Sequence, residues 1–372
     1  MTTAPNPTLL ALTEAGVSVW LDDLDRHRID SGQLAEMIRT DSVRGVTTNP
    51  TIFDKAISAG AEAYAEQLQA LARAGADTDS IIRALTTDDV RSACDVFAPV
   101  FEASGAEDGR VSIEVDPRLA HDTAATIEQA RQLWSIVDRP NALIKIPATP
   151  EGLPSITEVI GSGISVNVTL IFSVDRYRAV VDAFTAGLTL ARDRGHDLST
   201  IRSVASFFIS RIDTEVDGRL KSIGSPEASA LLGQAAIATG RLVWGAHLQS
   251  LASETWHGLA GDGASPQRPL WASTGVKDPA MPATRYVDEL VVDGCVNTMP
   301  ESTLRAVASS DATPVDTVTG TEEASLRTWR ELESLGISQA DVSATLEREG
   351  VAKFIDSWEQ LRTTVATAAK EA

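Results

Sequence analysis

Short apolar runs rich in β-branched residues alternate with longer segments of helical periodicity along most of the chain. Eight of these runs have the length and the bordering turn residues that are typical of strands. They are SVWLD (18–22), GVTTN (45–49), VSIEVD (111–116), ALIKIP (142–147), ISVNVTL (164–170), SVASFFI (203–209), PLWAST (269–274) and CVNTM (295–299). Strands that alternate with helices form parallel sheets. Eight such units without a break in composition predict a closed (β/α)8 barrel of the TIM type rather than an open sheet.

Three segments are longer than a simple βα unit requires. Residues 51–110 are predicted to hold three helices, and residues 222–268 a long helical excursion that ends in the turn-rich GDGASPQRP. Residues 301–372 are predicted to be a helical extension packed on the barrel. The whole chain, 1–372, is therefore expected to form one domain.

The apolar spacing of the C-terminal extension predicts an amphipathic pair of helices. Ser338 followed by Asp341 is typical of an N-cap with an acidic first turn. The apolar positions at helical spacing are Val342 and Leu346, then Val351, Phe354, Ile355, Trp358 and Leu361. We expect these helices to pack on the barrel wall. A helix that lies over the mouth of the barrel and a subunit contact are the alternatives.

One lysine lies in the middle of a strongly apolar strand. Six of the 32 lysine and arginine residues are lysines, and only Lys145, in ALIKIP, has this position. An ammonium group is costly to bury unless it is paired or loses its proton. Schiff-base chemistry with a carbonyl compound requires a neutral amine, which arginine cannot supply because it stays protonated. The alternative is a lysine whose stem is buried and whose ammonium group reaches the rim.

Polar residues on four other strands are predicted to point to the same side as Lys145, because alternate residues of a strand share a face. They are Asp22 at its strand end, Thr47 and Asn49, Ser112, Glu114 and Asp116, and Ser165, Asn167 and Thr169. Inward residues at the carboxyl ends of barrel strands are where barrel enzymes perform chemistry. Buried polar groups on so many strands would destabilise a barrel without a functional role. We therefore expect an active site around Lys145.

This set of groups suits aldol cleavage. Lys145 would attack a ketose carbonyl, one carboxylate would move protons during dehydration of the carbinolamine, and another would accept the hydroxyl proton that triggers cleavage. A metal-dependent route would need clustered ligands. No pair of histidines shows ligand spacing; they are His27, His121, His196, His247 and His257. Neither a metal nor a cofactor is therefore predicted.

Composition narrows the class of protein. A net charge of −20 argues against binding to nucleic acid or to anionic membranes, and it requires a locally basic pocket for any phosphorylated ligand. No apolar run is long enough for a membrane span, and the first fifteen residues lack the features of a secretory signal. Two distant cysteines, Cys94 and Cys295, do not suggest a disulfide framework. A cytoplasmic protein is expected, and a homodimer is compatible with the sequence.

Several of these segments together resemble the transaldolase family. They are GVTTNPTIFDKAI (45–57), VSIEVDPRLAHDT (111–123), NALIKIPATPEGL (141–153), ISVNVTLIFS (164–173) and VASFFISRID (204–213), and RPLWASTGVKDP (268–279) with VNTMP (296–300) resembles its longer bacterial subfamily. The motifs keep the family's order over residues 15–300. The resemblance implies a transferase of the pentose phosphate pathway. It would move a dihydroxyacetone unit from sedoheptulose 7-phosphate to glyceraldehyde 3-phosphate, giving erythrose 4-phosphate and fructose 6-phosphate.

The resemblance also implies roles for individual residues. Lys145 would form the Schiff base, and Asp22, chosen over Asp23 and Asp25 for its LDD context, would be the acid/base at the cleaving hydroxyl. Glu114 and Thr169 would bind the water that relays protons. The hydroxyl groups of the dihydroxyacetone unit would be held by Asn49, Asn167 and Ser206.

The resemblance also implies a site for the phosphate group of the substrate. Arg211 matches the family's phosphate-binding arginine, and Ser273 keeps the family's serine position. Many relatives carry a second arginine just after this serine, whereas the present chain has ASTGVK. Lys277 would supply the second positive charge, or it is a solvated loop lysine.

Two other functions compete with transaldolase. A fructose 6-phosphate aldolase would use the same lysine but release free dihydroxyacetone; Glu114 favours the transferase, because a glutamine there would favour the aldolase. A non-catalytic scaffold is the second alternative, and the intact set of Lys145, Glu114 and Asp22 argues against it.

Overall fold

A computed structural model describes residues 4–370 of the chain. Its strands form one closed parallel barrel in which each strand is hydrogen-bonded to the next and the last to the first. The strands are β1 (Ser18–Leu21), β2 (Gly45–Val46), β3 (Arg110–Glu114), β4 (Ala142–Pro147), β5 (Val166–Ile171), β6 (Ser203–Phe208), β7 (Arg268–Ala272) and β8 (Val296–Met299). Each lies within or next to one of the eight predicted runs, so the predicted (β/α)8 barrel is confirmed.

Helices surround the barrel and extend it within the same described residues. They are α1 (Pro7–Glu14), α2 (Arg26–Asp30), α3 (Gln33–Thr40), α4 (Pro50–Ala59), α5 (Ala61–Arg73), α6 (Thr78–Ala103), α7 (Thr123–Val137), α8 (Gly152–Ile160), α9 (Val174–Asp193), α10 (Ser210–Ile223), α11 (Pro226–Ala230), α12 (Ala235–Leu251), α13 (Glu254–Gly261), α14 (Arg285–Asp288), α15 (Glu301–Ala308), α16 (Glu322–Ser334) and α17 (Gln339–Lys370). The three helices expected in 51–110 are α4, α5 and α6, and the helical excursion of 222–268 contains α11, α12 and α13. No helix in residues 4–370 is both long and apolar enough to cross a membrane.

The register of the strands sets the level of the polar residues in the barrel. Glu114 is paired with Lys145 across β3 and β4, and Lys145 with Asn167 across β4 and β5. Their strand neighbours Ile144 and Val166, which point to the opposite side, are fully buried in the hydrophobic core. The alternation seen in the sequence therefore sends apolar side chains outward under the helices and polar side chains inward.

The C-terminal extension ends in one continuous helix, α17, so the expected pair of helices is wrong. Ser338 does act at its start, because its Oγ accepts a hydrogen bond from the Asp341 N–H at 3.4 Å. The apolar spacing seemed to break after Leu346 because the next position of the stripe is Gly350. This glycine is buried, and a Cβ there would lie 3.1 Å from Leu170 and 3.3 Å from the guanidinium of Arg211. The apolar pattern is interrupted at Gly350 because the helix comes so close to the barrel there that a side chain would have little room.

The helix α17 crosses the mouth of the barrel, so the expectation that it packs on the wall is wrong. Near its start, Asp341 forms an ion pair with Arg219 of α10, the helix that follows β6. Further along, Ser357 Oγ lies 2.7 Å from Thr51 Oγ1 of α4, the helix that follows β2. Since β2 and β6 are four strands apart in an eight-stranded barrel, they lie on opposite sides. A helix of 32 residues, about 48 Å long, spans that distance.

Candidate active site

Lys145 lies at the centre of the carboxyl-terminal face of the barrel and is only 4% exposed. Its Nζ donates hydrogen bonds to the Thr48 carbonyl at 3.0 Å and to Glu114 Oε2 at 3.2 Å. The ring of Phe354, on α17, covers it with its centroid 5.6 Å from Nζ. The ammonium group does not reach the rim, so a lysine that is buried only along its stem is excluded. A carbonyl compound in this position would meet the amine without bulk water around it.

Glu114 is buried on the neighbouring strand, with its carboxylate beside Lys145. Burial raises the pKa of its carboxyl from 4.5 to about 7, although the charge of Lys145 and its hydrogen bond act in the opposite direction. A carboxyl with a pKa near neutrality can both accept and donate a proton under physiological conditions. That is the property required of a proton relay next to a Schiff-base lysine.

Asp22, at the end of β1, has a separate set of partners. Its Oδ1 accepts a hydrogen bond from Thr47 Oγ1 at 2.7 Å, and Thr47 Oγ1 in turn lies 2.7 Å from Thr298 Oγ1. Burial raises the pKa of Asp22 against the lowering effect of Lys145. The neighbouring acids Asp23 and Asp25 instead form ion pairs with Arg28. Geometry therefore sets Asp22 apart from the two acids that follow it.

A chain of hydrogen bonds holds the amide of Asn167. Ser206 Oγ donates to Asn167 Oδ1 at 2.7 Å, and Asn167 Nδ2 donates to Ser112 Oγ at 2.9 Å. Asn49 is held differently, since its Oδ1 accepts the Ile52 N–H at 3.0 Å and caps α4. The amide nitrogen of each asparagine retains a proton for a substrate hydroxyl.

Thr169 lies at an irregularity of β5. The register with β6 shifts between Val168 and Ile171, and Leu170 has a φ of +60°, which is costly for a side chain of this size. The Thr169 hydroxyl is fully buried and has no hydrogen-bond partner among the described protein groups. Buried hydroxyls are almost always paired. This orphaned group therefore fits a contact with a substrate oxygen or a bound water.

Arg211, at the start of α10, forms the cationic side of the site. Its guanidinium carbon lies 4.9 Å from the ring centroid of Phe208 and 5.7 Å from that of Phe354. These two rings hold the guanidinium while leaving its N–H groups free of any carboxylate within 4.0 Å among the described residues. Because the two aromatic rings restrict its motion, this guanidinium is preorganised to bind an anion through two parallel hydrogen bonds.

Ser273 follows β7 with a left-handed φ of +55°. Its Oγ lies 2.9 Å from Ser210 Oγ, and its carbonyl accepts the Ser210 N–H at 3.1 Å. These contacts hold the chain after β7 against the start of α10. The Nζ of Lys277 reaches back over this loop, 3.7 Å from the position of a Cβ on Gly275.

A cavity of about 120 Å³ joins the amine, the acid and the cations. Six of its lining residues come from different parts of the chain, namely Asp22, Asn49, Lys145, Ser206, Arg211 and Lys277. Ser273 also lines it, whereas Glu114, Asn167 and Thr169 do not. Glu114 and Asn167 are in register with Lys145 on the neighbouring strands, and Thr169 is in register with Pro147. The structure thus brings the ten predicted residues to one end of the barrel.

Sequence reasoning missed the aromatic residues of the site. Phe354 and Phe208 both line the cavity. Phe354 was assigned to the apolar stripe of a helix, and nothing local distinguishes it from a core residue. Asp116 was expected to point toward Lys145, but its carboxylate binds the Arg118 guanidinium. Strand β3 ends at Glu114, so strand alternation no longer applies two residues later.

In residues 4–370, no group of three or more histidine, cysteine, aspartate or glutamate residues is placed to bind a metal ion.

Comparison with known proteins assigns the chain to a family. The family model of transaldolase/fructose-6-phosphate aldolase matches residues 19–365. The chain belongs to this family. It is 58% identical to a transaldolase of Mycolicibacterium smegmatis over 96% of each chain. It is also 58% identical to a transaldolase of Mycolicibacterium paratuberculosis over 96% of each chain. A transaldolase of a Parafrankia strain is 56% identical over 95% of this chain and 96% of that protein. The resemblance inferred from the motifs is therefore confirmed, and the chain is an enzyme rather than a scaffold.

Proposed function

We propose that this enzyme transfers a dihydroxyacetone unit from sedoheptulose 7-phosphate to glyceraldehyde 3-phosphate through a Schiff base on Lys145. The products are erythrose 4-phosphate and fructose 6-phosphate, as in the pentose phosphate pathway. The identity of 56–58% to transaldolases over nearly the whole chain supports the reaction. The observation that carries the mechanism is a buried amine, Lys145, which lines the cavity and is hydrogen-bonded to a carboxyl group whose pKa is about 7.

Schiff-base formation is the first step. A proton moves from the Lys145 ammonium group to Glu114, and the free amine attacks the C2 carbonyl of the ketose phosphate. A C–N bond forms, the C–O π bond breaks, and a proton passes from the nitrogen to the former carbonyl oxygen to give the neutral carbinolamine. Glu114, acting with Thr169 through a water molecule, then protonates the C2 hydroxyl, which leaves as water. The orphaned hydroxyl of Thr169 supports this role, because such a water would satisfy it.

Cleavage of the C3–C4 bond follows. Asp22 accepts the proton of the C4 hydroxyl, the electron pair of the C3–C4 bond moves toward the iminium nitrogen, and the aldose phosphate leaves. The remaining three-carbon enamine stays on Lys145 until an acceptor aldehyde arrives and the steps reverse. Asn49, Asn167 and Ser206 would hold the hydroxyl groups of this unit. The raised pKa of Asp22 supports its role, because it makes the carboxylate a stronger base.

The phosphate of each substrate would bind to Arg211, Ser273 and Lys277. Arg211 supplies a guanidinium fixed between two rings, and Ser273 a hydroxyl next to the start of α10. Lys277 adds a second charge at the position after β7. Its side chain is exposed to solvent but also lines the cavity, and from this position the ammonium group can contact a bound phosphate.

Fructose 6-phosphate aldolase activity is the alternative within the same family. It differs in that the enamine is protonated and dihydroxyacetone is released without an acceptor. The cover of Phe354 over Lys145 favours the transferase, because it limits access of water to the enamine. Free dihydroxyacetone measured with fructose 6-phosphate alone separates the two activities. Rapid release without erythrose 4-phosphate would favour the aldolase.

Trapping of the intermediate tests the proposed function. The protein is incubated with fructose 6-phosphate, reduced with borohydride and digested, and the modified peptide is identified by mass spectrometry. We expect one adduct, on Lys145. The Lys145→Arg variant keeps the charge and should lose the adduct and roughly three orders of magnitude or more in turnover. An adduct on another lysine, or near-normal activity of the variant, would refute the proposal.

Three further expectations stay predictions: a cytoplasmic location, a homodimer, and a single domain over residues 1–372 with 301–372 as its extension. The last is supported by contacts of α17 with α4, α6 and α10.

A further inference from the structure

The mouth of the site holds cationic side chains that form no direct ion pair with a carboxylate. Arg211, Lys277 and Lys353 form what we call the mouth cluster. None of the three has a carboxylate oxygen within 4.0 Å among the described residues. Acidic residues outnumber basic ones in this chain by 52 to 32, so unpaired cations gathered at one place are not expected from composition alone. Charges of one sign held together without partners are typical of a site for a counter-ion.

Lys353 belongs to the C-terminal helix, and it is exposed next to the residues of this helix that contact the site. It lies one residue before Phe354, whose ring covers Lys145, and one helical turn after Gly350, whose backbone approaches Arg211. One turn further along, Ser357 contacts α4. Lys353 is therefore held at the edge of α17 beside the cavity, with its side chain exposed to solvent.

The electrostatic influence of Lys353 on its neighbour agrees with this position. Burial is the main cause of a lowered pKa of Lys277, and Lys353 is the charged group that lowers it most, ahead of Arg211. Asp22 acts in the opposite direction, and Lys55 of α4 adds a smaller repulsion. A dianionic phosphate placed between Lys277 and Lys353 would relieve this repulsion.

We propose that Lys353 is a specificity-determining residue that binds the phosphate group of the sugar substrates from the side of α17. Arg211 and Lys277 would hold the phosphate from the barrel, and Lys353 would hold it from the helix that crosses the mouth. The inference rests on the proposed function, because it concerns the phosphate of the same substrates. It assigns to the C-terminal helix a direct part in selecting phosphorylated sugars.

Two variants of the full chain separate this role from a general effect of charge. Lys353→Met removes the cation, and Lys353→Arg keeps it. Lys370→Met is the matched control, because it removes the same charge from the same helix 17 residues away, about 25 Å along its axis. Steady-state kinetics with fructose 6-phosphate and erythrose 4-phosphate give KM and kcat. Inorganic phosphate as a competitor gives an inhibition constant for the anion alone.

For Lys353→Met we expect KM and the inhibition constant of phosphate to rise about three- to tenfold, the effect of one charge contact at a partly exposed site. The kcat value should stay within about twofold, and Lys353→Arg and Lys370→Met should behave like the unchanged protein. Unchanged KM and inhibition constants in Lys353→Met would overturn the inference. So would an equal rise in Lys370→Met, which would indicate a long-range field.

Borohydride trapping with dihydroxyacetone provides the readout that is independent of phosphate. Its yield on Lys145 should be the same in Lys353→Met as in the unchanged protein, because dihydroxyacetone carries no phosphate. A parallel loss of trapping would show that the variant disturbs α17 as a whole and would overturn the assignment of a phosphate contact. Absence of trapping in the unchanged protein would instead refute the proposed function.

Discussion

At the scale of single residues, the two carboxyl groups of the site have different partners and therefore different tasks. Glu114 is hydrogen-bonded to the ammonium group of Lys145, whereas Asp22 is hydrogen-bonded to the hydroxyl of Thr47. The first carboxyl can exchange protons with the nitrogen and the oxygen on C2. The second is available for a hydroxyl further along the substrate. Replacement of each should therefore arrest the reaction at a different point.

Replacing Asp22 with asparagine should stop the reaction after the Schiff base has formed. The amide cannot accept the C4 hydroxyl proton, while Lys145 and Glu114 remain in place. After incubation with fructose 6-phosphate and reduction, mass spectrometry should find a six-carbon sugar phosphate on Lys145 rather than a three-carbon unit. Turnover should fall by roughly 10³-fold or more. A three-carbon adduct at the normal rate would mean that another group accepts the proton.

The variant Thr47→Val tests the role of Asp22 without replacing the acid itself. The valine keeps the shape of the side chain but removes the hydrogen bond to Asp22. The contact of the Thr47 hydroxyl with Thr298 is lost as well. Because Asp22 itself remains and loses only an orienting partner, kcat should fall about tenfold with little change in KM. An unchanged kcat would show that the contact with Thr47 does not orient the acid.

Replacing Glu114 with glutamine should remove a pH-dependent loss of stability. The pKa of this carboxyl is raised from 4.5 to about 7 in the folded chain, so the folded state binds the proton more tightly than the unfolded state. The resulting stabilisation is complete below about pH 4 and is lost as the pH rises through 7. Between pH 5 and 8, the free energy of unfolding of the unchanged protein should decrease by roughly 1–3 kcal/mol more than that of Glu114→Gln. Urea denaturation measures this difference, and parallel pH profiles would contradict the raised pKa.

At the scale of elements, the strands could be predicted from the sequence and the position of the last helix could not. Each strand has a local signature, because alternation and β-branched residues appear within six or seven positions. The stripe of α17 also has a local signature, but it specifies only that one face is buried. Whether that face packs on the wall or across the mouth depends on contacts with residues far away in sequence, such as Arg219 and Thr51. For this reason the sequence did not predict that Phe354 belongs to the site.

Replacing Gly350 with leucine should disturb the site through α17 alone. Even a Cβ at this position would lie 3.1–3.4 Å from Leu170, Arg211 and Phe172, so a leucine must displace the helix or the guanidinium. We expect KM for fructose 6-phosphate to rise at least about tenfold and the free energy of unfolding to fall by about 1–3 kcal/mol. Ala352→Leu, on the exposed side of the same helix, is the control and should change neither. Equal values of KM and of the free energy of unfolding for the two variants would argue against a close approach of Gly350 to the barrel.

At the scale of the whole molecule, a net charge of −20 surrounds a mouth lined by unpaired cations. The charge balance of the sequence indicates that a basic pocket is needed for a phosphorylated ligand, and the resemblance to the family points to Arg211 and Lys277 as two of its cations. Lys353 belongs to a helix whose location the sequence does not reveal. The negative charge of the whole protein repels a phosphorylated substrate, whereas the cations at the mouth attract it. Salt screens both interactions, so the direction in which KM changes with salt shows which of them is stronger.

Raising the concentration of potassium chloride from about 0.05 to 0.5 M should weaken the binding of fructose 6-phosphate. If the mouth cluster dominates, KM should rise about two- to fivefold, since its attraction is screened. Trapping with dihydroxyacetone, which is uncharged, should not change. A fall in KM with salt would mean that the repulsion of the whole protein outweighs the attraction at its mouth.

The order of elements along the chain has a consequence for biosynthesis. All eight strands leave the ribosome before Gly350 and Phe354, so the barrel can close around Lys145 while its mouth is still uncovered. During that interval the amine faces solvent and the aldehydes dissolved in it. Only when the segment around Phe354 has emerged and docked does the lysine become shielded. A nascent chain stalled before this segment should therefore react at this lysine with a wider range of dissolved aldehydes than the finished enzyme does.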